Sequence, residues 1–102
     1  MFNKFENCKI LIVDDRKENI DVLVNVLRKD FKLSVALNGK KALEILNDSH
    51  IDLVLLDISM PEMDGFEVCR RIKSNEKLCY IPVIFITAMH DNKFKSRGFR
   101  CG

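Results

Sequence analysis

Three short apolar runs stand out along the chain, and each stops at a polar residue. Ile10-Leu11-Ile12-Val13 stops at Asp14-Asp15, Leu53-Val54-Leu55-Leu56 at Asp57, and Val83-Ile84-Phe85-Ile86 at Thr87. Short continuous apolar runs rich in β-branched residues predict strands buried on both faces of a sheet. A fourth strand is weaker: Leu33, Val35 and Leu37 alternate with Ser34 and Ala36, as on an edge strand with one face partly wet.

Helical periodicity fills the gaps. Ile20, Leu23, Val24 and Leu27 trace one face of a helix from about Glu18 to Arg28. Asn38-Gly39 turns the chain into a second helix, whose inward face is Ala42, Leu43 and Leu46. A third helix follows Gly65, with Phe66, Cys69 and Ile72 inward and Glu67 and Arg71 paired outward at i,i+4. Asn75 to Pro82 reads as a loop, and a tail helix is expected from Asp91, broken at Gly98. Strands alternating with helices imply an α/β fold with a parallel sheet. Right-handed crossovers place the edge-like second strand outside the first, in the order 2-1-3-4. The order reverses between strands one and three, and ligands of such sheets sit beyond the carboxyl ends of the strands at that reversal. Asp14, Asp15 and Asp57 should converge there, with Thr87 one strand along.

Composition narrows the class. A chain of 102 residues, 47% hydrophobic and 31% charged with two prolines and four glycines, is expected to form one globular domain over 1–102. No apolar run approaches the length that spans a bilayer, and no secretory signal opens the chain, so no membrane partner is expected. Seventeen basic against fifteen acidic side chains leave +2. The basic residues are scattered in pairs such as Lys40-Lys41 and Arg70-Arg71, which gives no clustered nucleic-acid footprint. A local excess of Lys93, Lys95, Arg97 and Arg100 over Asp91 reads as a solvated helix. Cys8, Cys69, Cys79 and Cys101 form no C-x-x-C pair and read as free thiols of a cytoplasmic protein.

Acidic residues commonly end strands and cap helices, but three carboxylates in one crevice repel each other unless a positive species lies between them. A hard divalent cation such as Mg²⁺ suits an all-carboxylate set, and the absence of nearby His or Cys argues against Zn²⁺ or copper. There is no GxGxxG or GxxxxGK[ST] phosphate loop, and His50 and His90 lie outside the strand-end cluster, so neither a nucleotide fold nor a Ser-His-Asp triad is supported. With Mg²⁺ in place, Asp57 could attack a phosphoryl group as a nucleophile, with Asp14 and Asp15 holding the metal and the Thr87 hydroxyl bonding a phosphoryl oxygen. A metal-dependent phosphohydrolase would need a general acid beside Asp57, and Ile58-Ser59 offers no carboxylate there.

These residues resemble the receiver domain of bacterial two-component response regulators. The likeness runs from about Lys9 to Gly102 and rests on Asp14-Asp15, on Asp57-Ile58-Ser59-Met60-Pro61-Glu62-Met63-Asp64-Gly65, on Thr87-Ala88, and on Gly98-Phe99. It implies a flavodoxin-like three-layer sandwich and a phosphoryl group accepted on Asp57 from a histidine kinase or phosphotransfer protein. It also implies Mg²⁺ held by Asp14, Asp15, Asp57 and the Ser59 backbone carbonyl, Thr87 as the switch hydroxyl, and Ala88 as its small neighbour. Phe66 would pack, and Pro61 and Gly65 would shape the loop over the site.

In the family a fifth strand, a lysine at its end and a fifth helix follow the position of Gly102, where this sequence stops. Two expectations follow: slowed phosphorylation of Asp57, and self-association through the exposed edge of the fourth strand. Two function classes compete, a phosphoacceptor signalling domain that is not a metabolic enzyme, and a receiver-like interaction module that no longer signals by phosphorylation. Val22 and Val26, off the main stripe of the first helix, are either a kinase-docking patch or a packing surface.

Overall fold

In a computed structural model of the chain, residues 7–86 are described. The elements run β1 (Lys9–Val13), α1 (Lys17–Leu27), β2 (Lys32–Ala36), α2 (Gly39–Asp48), β3 (Leu53–Asp57), α3 (Gly65–Lys73) and β4 (Val83–Ile86). The strands form one parallel sheet in the order β2-β1-β3-β4, as expected. Val13 pairs with Leu56 and with Ala36, and Asp57 pairs with Ile86, so the carboxyl ends of all four strands share one edge. Thr87, Ala88, Met89, His90, the segment expected to form a tail helix, and Cys101 lie outside the described residues.

The side-chain period of two splits the apolar runs between two faces. Leu11, Val13, Val54, Leu56 and Phe85 face the layer of α2 and α3, where Ala42, Leu46, Val68, Cys69 and Ile72 complete the larger core. Ile10 and Ile12 face α1 and meet Ile20, with Leu23, Val24, Leu27, Leu53 and Leu55 partly buried around them. The product is a three-layer sandwich with the sheet in the middle. Each fully buried Leu or Ile of the central strands contributes about 1.5–3 kcal/mol relative to exposure. Val22 and Val26 lie on the outer face of α1, 62% and 65% exposed.

Local chemistry sets the helix starts near the site. Asn38 caps α2 by accepting the Lys41 N–H at 2.8 Å, and Asp64 caps α3 by accepting the Glu67 N–H at 2.9 Å. On α3, Glu67 receives Arg71 at 2.8 Å as expected and also Arg70 at 2.6 Å, which holds its carboxyl down at about 2. The segment before β4 is irregular, as predicted, yet it is tied down: the Lys73 ammonium donates to the carbonyls of Cys79 and Ile81 at 3.0 and 2.9 Å. Leu78 and Ile81 of that segment enter the core.

Three details differ from the sequence reading. β2 ends at Ala36, which is its buried side chain, while Val35 on the strand and Leu37 just beyond it are 38% and 51% exposed. The α2 layer closes over the small residue, and the alternate face of this edge strand is only partly covered by α1. On α3, Val68 is buried beside Cys69 and Ile72, whereas Phe66 is only partly buried. Cys8 and Cys79 are free thiols as expected, but Cys69 is disulfide-bonded.

Candidate metal and phosphoacceptor site

Asp14 follows the last residue of β1 and Asp57 is the last residue of β3, so the two adjacent strands deliver them to the same edge. Oxygens of Asp14, Asp15 and Asp57 all lie within 4.8 Å of one another. Asp14 and Asp57 are buried, at 2% and 8% exposure, and Asp15 is exposed. A cluster of this kind has a floor of two carboxylates and one carboxylate open to solvent. His50 lies at the opposite end of the strands, bonded at 2.7 Å to Asp52, which is held low in pKa first by the Lys9 N–H. His50 thus lies outside the acidic cluster, where the sequence reading put it.

Asp14 is fixed by its own turn. Its Oδ1 accepts the Arg16 backbone N–H at 2.9 Å, and its Oδ2 accepts the Asn19 side-chain amide at 3.2 Å. The Asp14 N–H in turn donates to the Ala36 carbonyl at 3.1 Å, which pins the strand end to β2. Asn19 was not among the residues singled out as site candidates. It reaches Asp14 only because α1 starts immediately after the turn, a geometry that no local spacing rule announces.

Asp57 is under electrostatic stress. Burial pushes its carboxyl up to about 6, the negative charge of Asp14 adds to the rise, and Asp15 adds a smaller share. The backbone N–H groups of Ser59 and Ile58 oppose these effects without cancelling them. A buried carboxylate beside two like charges is stabilised by a cation placed among the three. The donor set is all oxygen, which suits a hard divalent ion.

The loop from β3 to α3 wraps around this site. Ser59 is exposed two residues beyond Asp57, and Met60 is buried in the main core. Glu62 adopts φ 67°, and the Met63 N–H closes on the Pro61 carbonyl at 2.7 Å. Gly65 then returns to the strand end, its N–H donating to the Ile58 carbonyl at 2.8 Å. A Cβ on Gly65 would collide with the carbonyl oxygen of Asp57 and lie 2.8 Å from Ile58 Cα, so glycine is required for this close return. Phe66 packs next to it, as expected.

Comparison with known proteins agrees with this geometry. The response regulator receiver domain family matches residues 10–102. This chain belongs to that family. Among its relatives, the receiver domain here is 47% identical over 95 residues to a probable cyclic di-GMP phosphodiesterase of Vibrio cholerae, covering 93% of this chain and 22% of that protein. It is 36% identical over 97 residues to the response regulator PleD of Caulobacter vibrioides, covering 94% and 21%. The chain thus spans about a fifth of the length of these curated relatives. Among solved structures, the receiver domain of a signal transduction histidine kinase from Syntrophus aciditrophicus superposes with a TM-score of 0.83 at 34% identity, covering 93% of this chain and 73% of that one. The N-terminal domain of a response regulator receiver protein from Methanoculleus marisnigri gives 0.73 at 39% identity, covering 86% and 76%.

Receiver domains serve two-component signal transduction by phosphorylation, interact with histidine kinases or phosphotransfer proteins, and typically bind Mg²⁺ at an acidic cluster. The group Asp14, Asp15 and Asp57 is such a cluster. No helix among the described residues is long and apolar enough to cross a membrane.

Proposed function

We propose that this receiver domain accepts a phosphoryl group on Asp57 from the phosphohistidine of a cytoplasmic histidine kinase or phosphotransfer protein. One observation carries the reading: three carboxylates from two adjacent strand ends meet within 4.8 Å, with Asp57 buried at the end of a central strand. Asp14, Asp15, Asp57 and the Ser59 carbonyl are the proposed protein ligands of Mg²⁺. When bound, Mg²⁺ supplies charge neutralisation and Lewis-acid polarisation of the phosphoryl oxygens.

The chain's own residues set the rest. An oxygen of ionised Asp57 attacks phosphorus, the phosphorus–nitrogen bond breaks, and its electron pair leaves with the imidazole nitrogen. With a carboxyl titrating near 6 in the metal-free chain, Asp57 is largely ionised at neutral pH and a competent nucleophile. Asp14 stays oriented by its two hydrogen bonds throughout. The role of Thr87, a hydroxyl donating to a phosphoryl oxygen, rests on the family resemblance. The proposed role is that of a phosphoacceptor and not of a metabolic enzyme.

The test is intact mass after incubation with Mg²⁺ and acetyl phosphate. One phosphoryl adduct is expected, absent from Asp57→Asn and from a metal-free control. No adduct on a chain shown to be folded would overturn the proposal and favour the receiver-like interaction module.

A further inference from the structure

We infer that Asn19 is a positioning residue for the metal ligand Asp14, an inference that rests on the Mg²⁺ reading above and extends it beyond the acidic cluster. The two oxygens of Asp14 are each held by one donor: Oδ1 by the Arg16 N–H at 2.9 Å and Oδ2 by the Asn19 Nδ2 at 3.2 Å. A carboxylate oxygen has two lone pairs, so each oxygen keeps one for the side on which Asp15 and Asp57 lie. A single backbone contact would leave the carboxylate free to swing about its Cβ–Cγ bond. The second donor removes that freedom and fixes the plane of the group.

Asn19 is well placed for this task. It stands in the first turn of α1, its own N–H bonded to the Arg16 carbonyl at 3.1 Å, so its position is set by the helix start. Its side chain is neutral, so it orients the carboxylate without neutralising it. A lysine or arginine there would occupy Asp14 with a competing positive charge and weaken its attraction for a cation. Position 19 is exposed and outside both core clusters, so the amide does not serve packing. Partners that orient metal-binding carboxylates typically change metal affinity about 10- to 100-fold when removed. One exposed, neutral donor corresponds to the low end of that range.

The experiment compares the 102-residue chain with Asn19→Leu, close in shape without a donor, and Asn19→Gln, which keeps the amide. Mg²⁺ affinity is read by titration calorimetry, and the urea midpoint is read separately in EDTA. The expected result is a Kd raised about tenfold in Asn19→Leu, largely recovered in Asn19→Gln, with EDTA midpoints unchanged. A merely structural role would move the EDTA midpoint and leave Kd alone, and that result overturns the inference. Equal loss of affinity in both variants overturns it too. If the parent chain itself shows no Mg²⁺ binding, the metal-site reading fails first; binding by the parent with an unchanged Asn19→Leu defeats the role of Asn19 alone.

Discussion

Phe66 and Phe85 meet with ring centroids 5.2 Å apart and planes inclined at 56°. The contact joins the first turn of α3, where the site loop ends, to the strand that runs beside Asp57. A tilted aromatic pair adds about 0.5–1.5 kcal/mol to the area it buries. Phe66→Ala should therefore cost about 2–3 kcal/mol, less than a fully buried phenylalanine because Phe66 is only partly covered. Phe66→Leu should recover more than half of that. Urea unfolding of the two variants checks both values, and a loss under about 0.5 kcal/mol for the alanine would show that the pair is not held in solution.

The metal-free chain should lose stability as pH rises, because of Asp57. Its folded carboxyl titrates near 6 against an ordinary 3.8, so the folded state holds this proton more tightly. The associated stability is fully present below about pH 4 and is lost as pH rises through about 6. The full shift corresponds to about 3 kcal/mol, and screening at the open end of the sheet reduces this to about 1–2 kcal/mol. In EDTA at neutral pH, Asp57→Asn should be more stable than the parent by that amount, and near about pH 4 the difference should vanish. Paired urea titrations at the two pH values measure it.

Mg²⁺ should reverse the order. A ligand that binds only the folded chain stabilises it by about 2.7 kcal/mol at a hundred times its Kd. The parent at neutral pH should show this gain, and Asp57→Asn only part of it. In the parent the gain should shrink as pH falls through about 6, because protonated Asp57 ceases to be a ligand. Thermal melts across a Mg²⁺ series decide the matter.

Gly65→Ala should destabilise the chain by about 1–3 kcal/mol, since the added methyl meets backbone atoms of Asp57 and Ile58 that cannot rotate aside. Phosphorylation by acetyl phosphate should slow in the same variant, because relief of the clash displaces the strand end that carries Asp57. A variant with parental stability and rate would refute the close return of the loop.

Lys73→Met keeps the aliphatic stem but removes the donor shared by the Cys79 and Ile81 carbonyls. The loss should be about 1–2 kcal/mol, in the range for a hydrogen bond from a charged group. Hydrogen exchange should rise over residues 78–81 and stay unchanged in β1.

The strands, their order and the meeting of the three aspartates were legible in the sequence for one physical reason. Strands covered on both faces read as unbroken apolar runs, so their polar ends mark the sheet edge directly. The inward residues of α2, Ala42 and Leu46, followed from periodicity in the same way. On the edge strand the partly wet face is borne out but the degree of burial was not legible: Leu33 packs on the α1 side, Val35 in the same row is 38% exposed, and Ala36 on the opposite side is the fully buried residue. Burial on an edge strand is decided by which helix lies over it, and that is tertiary information. Asn19 escaped for a related reason, since its contact with Asp14 bridges a strand–helix turn whose geometry is set by the fold and not by a repeat.

Glu62 carries a further consequence. A residue with a side chain held at φ 67° costs about 1–3 kcal/mol, and the surrounding loop must over-determine that conformation for it to persist. Met63 bonded back to Pro61, Gly65 bonded back to Ile58, and Met60 buried in the core supply that constraint. The loop has therefore surrendered its conformational entropy during folding, before any phosphoryl group arrives. Phosphorylation as proposed would then ask little further ordering of the loop over residues 58–65, and the entropic cost at this loop would fall on the incoming group.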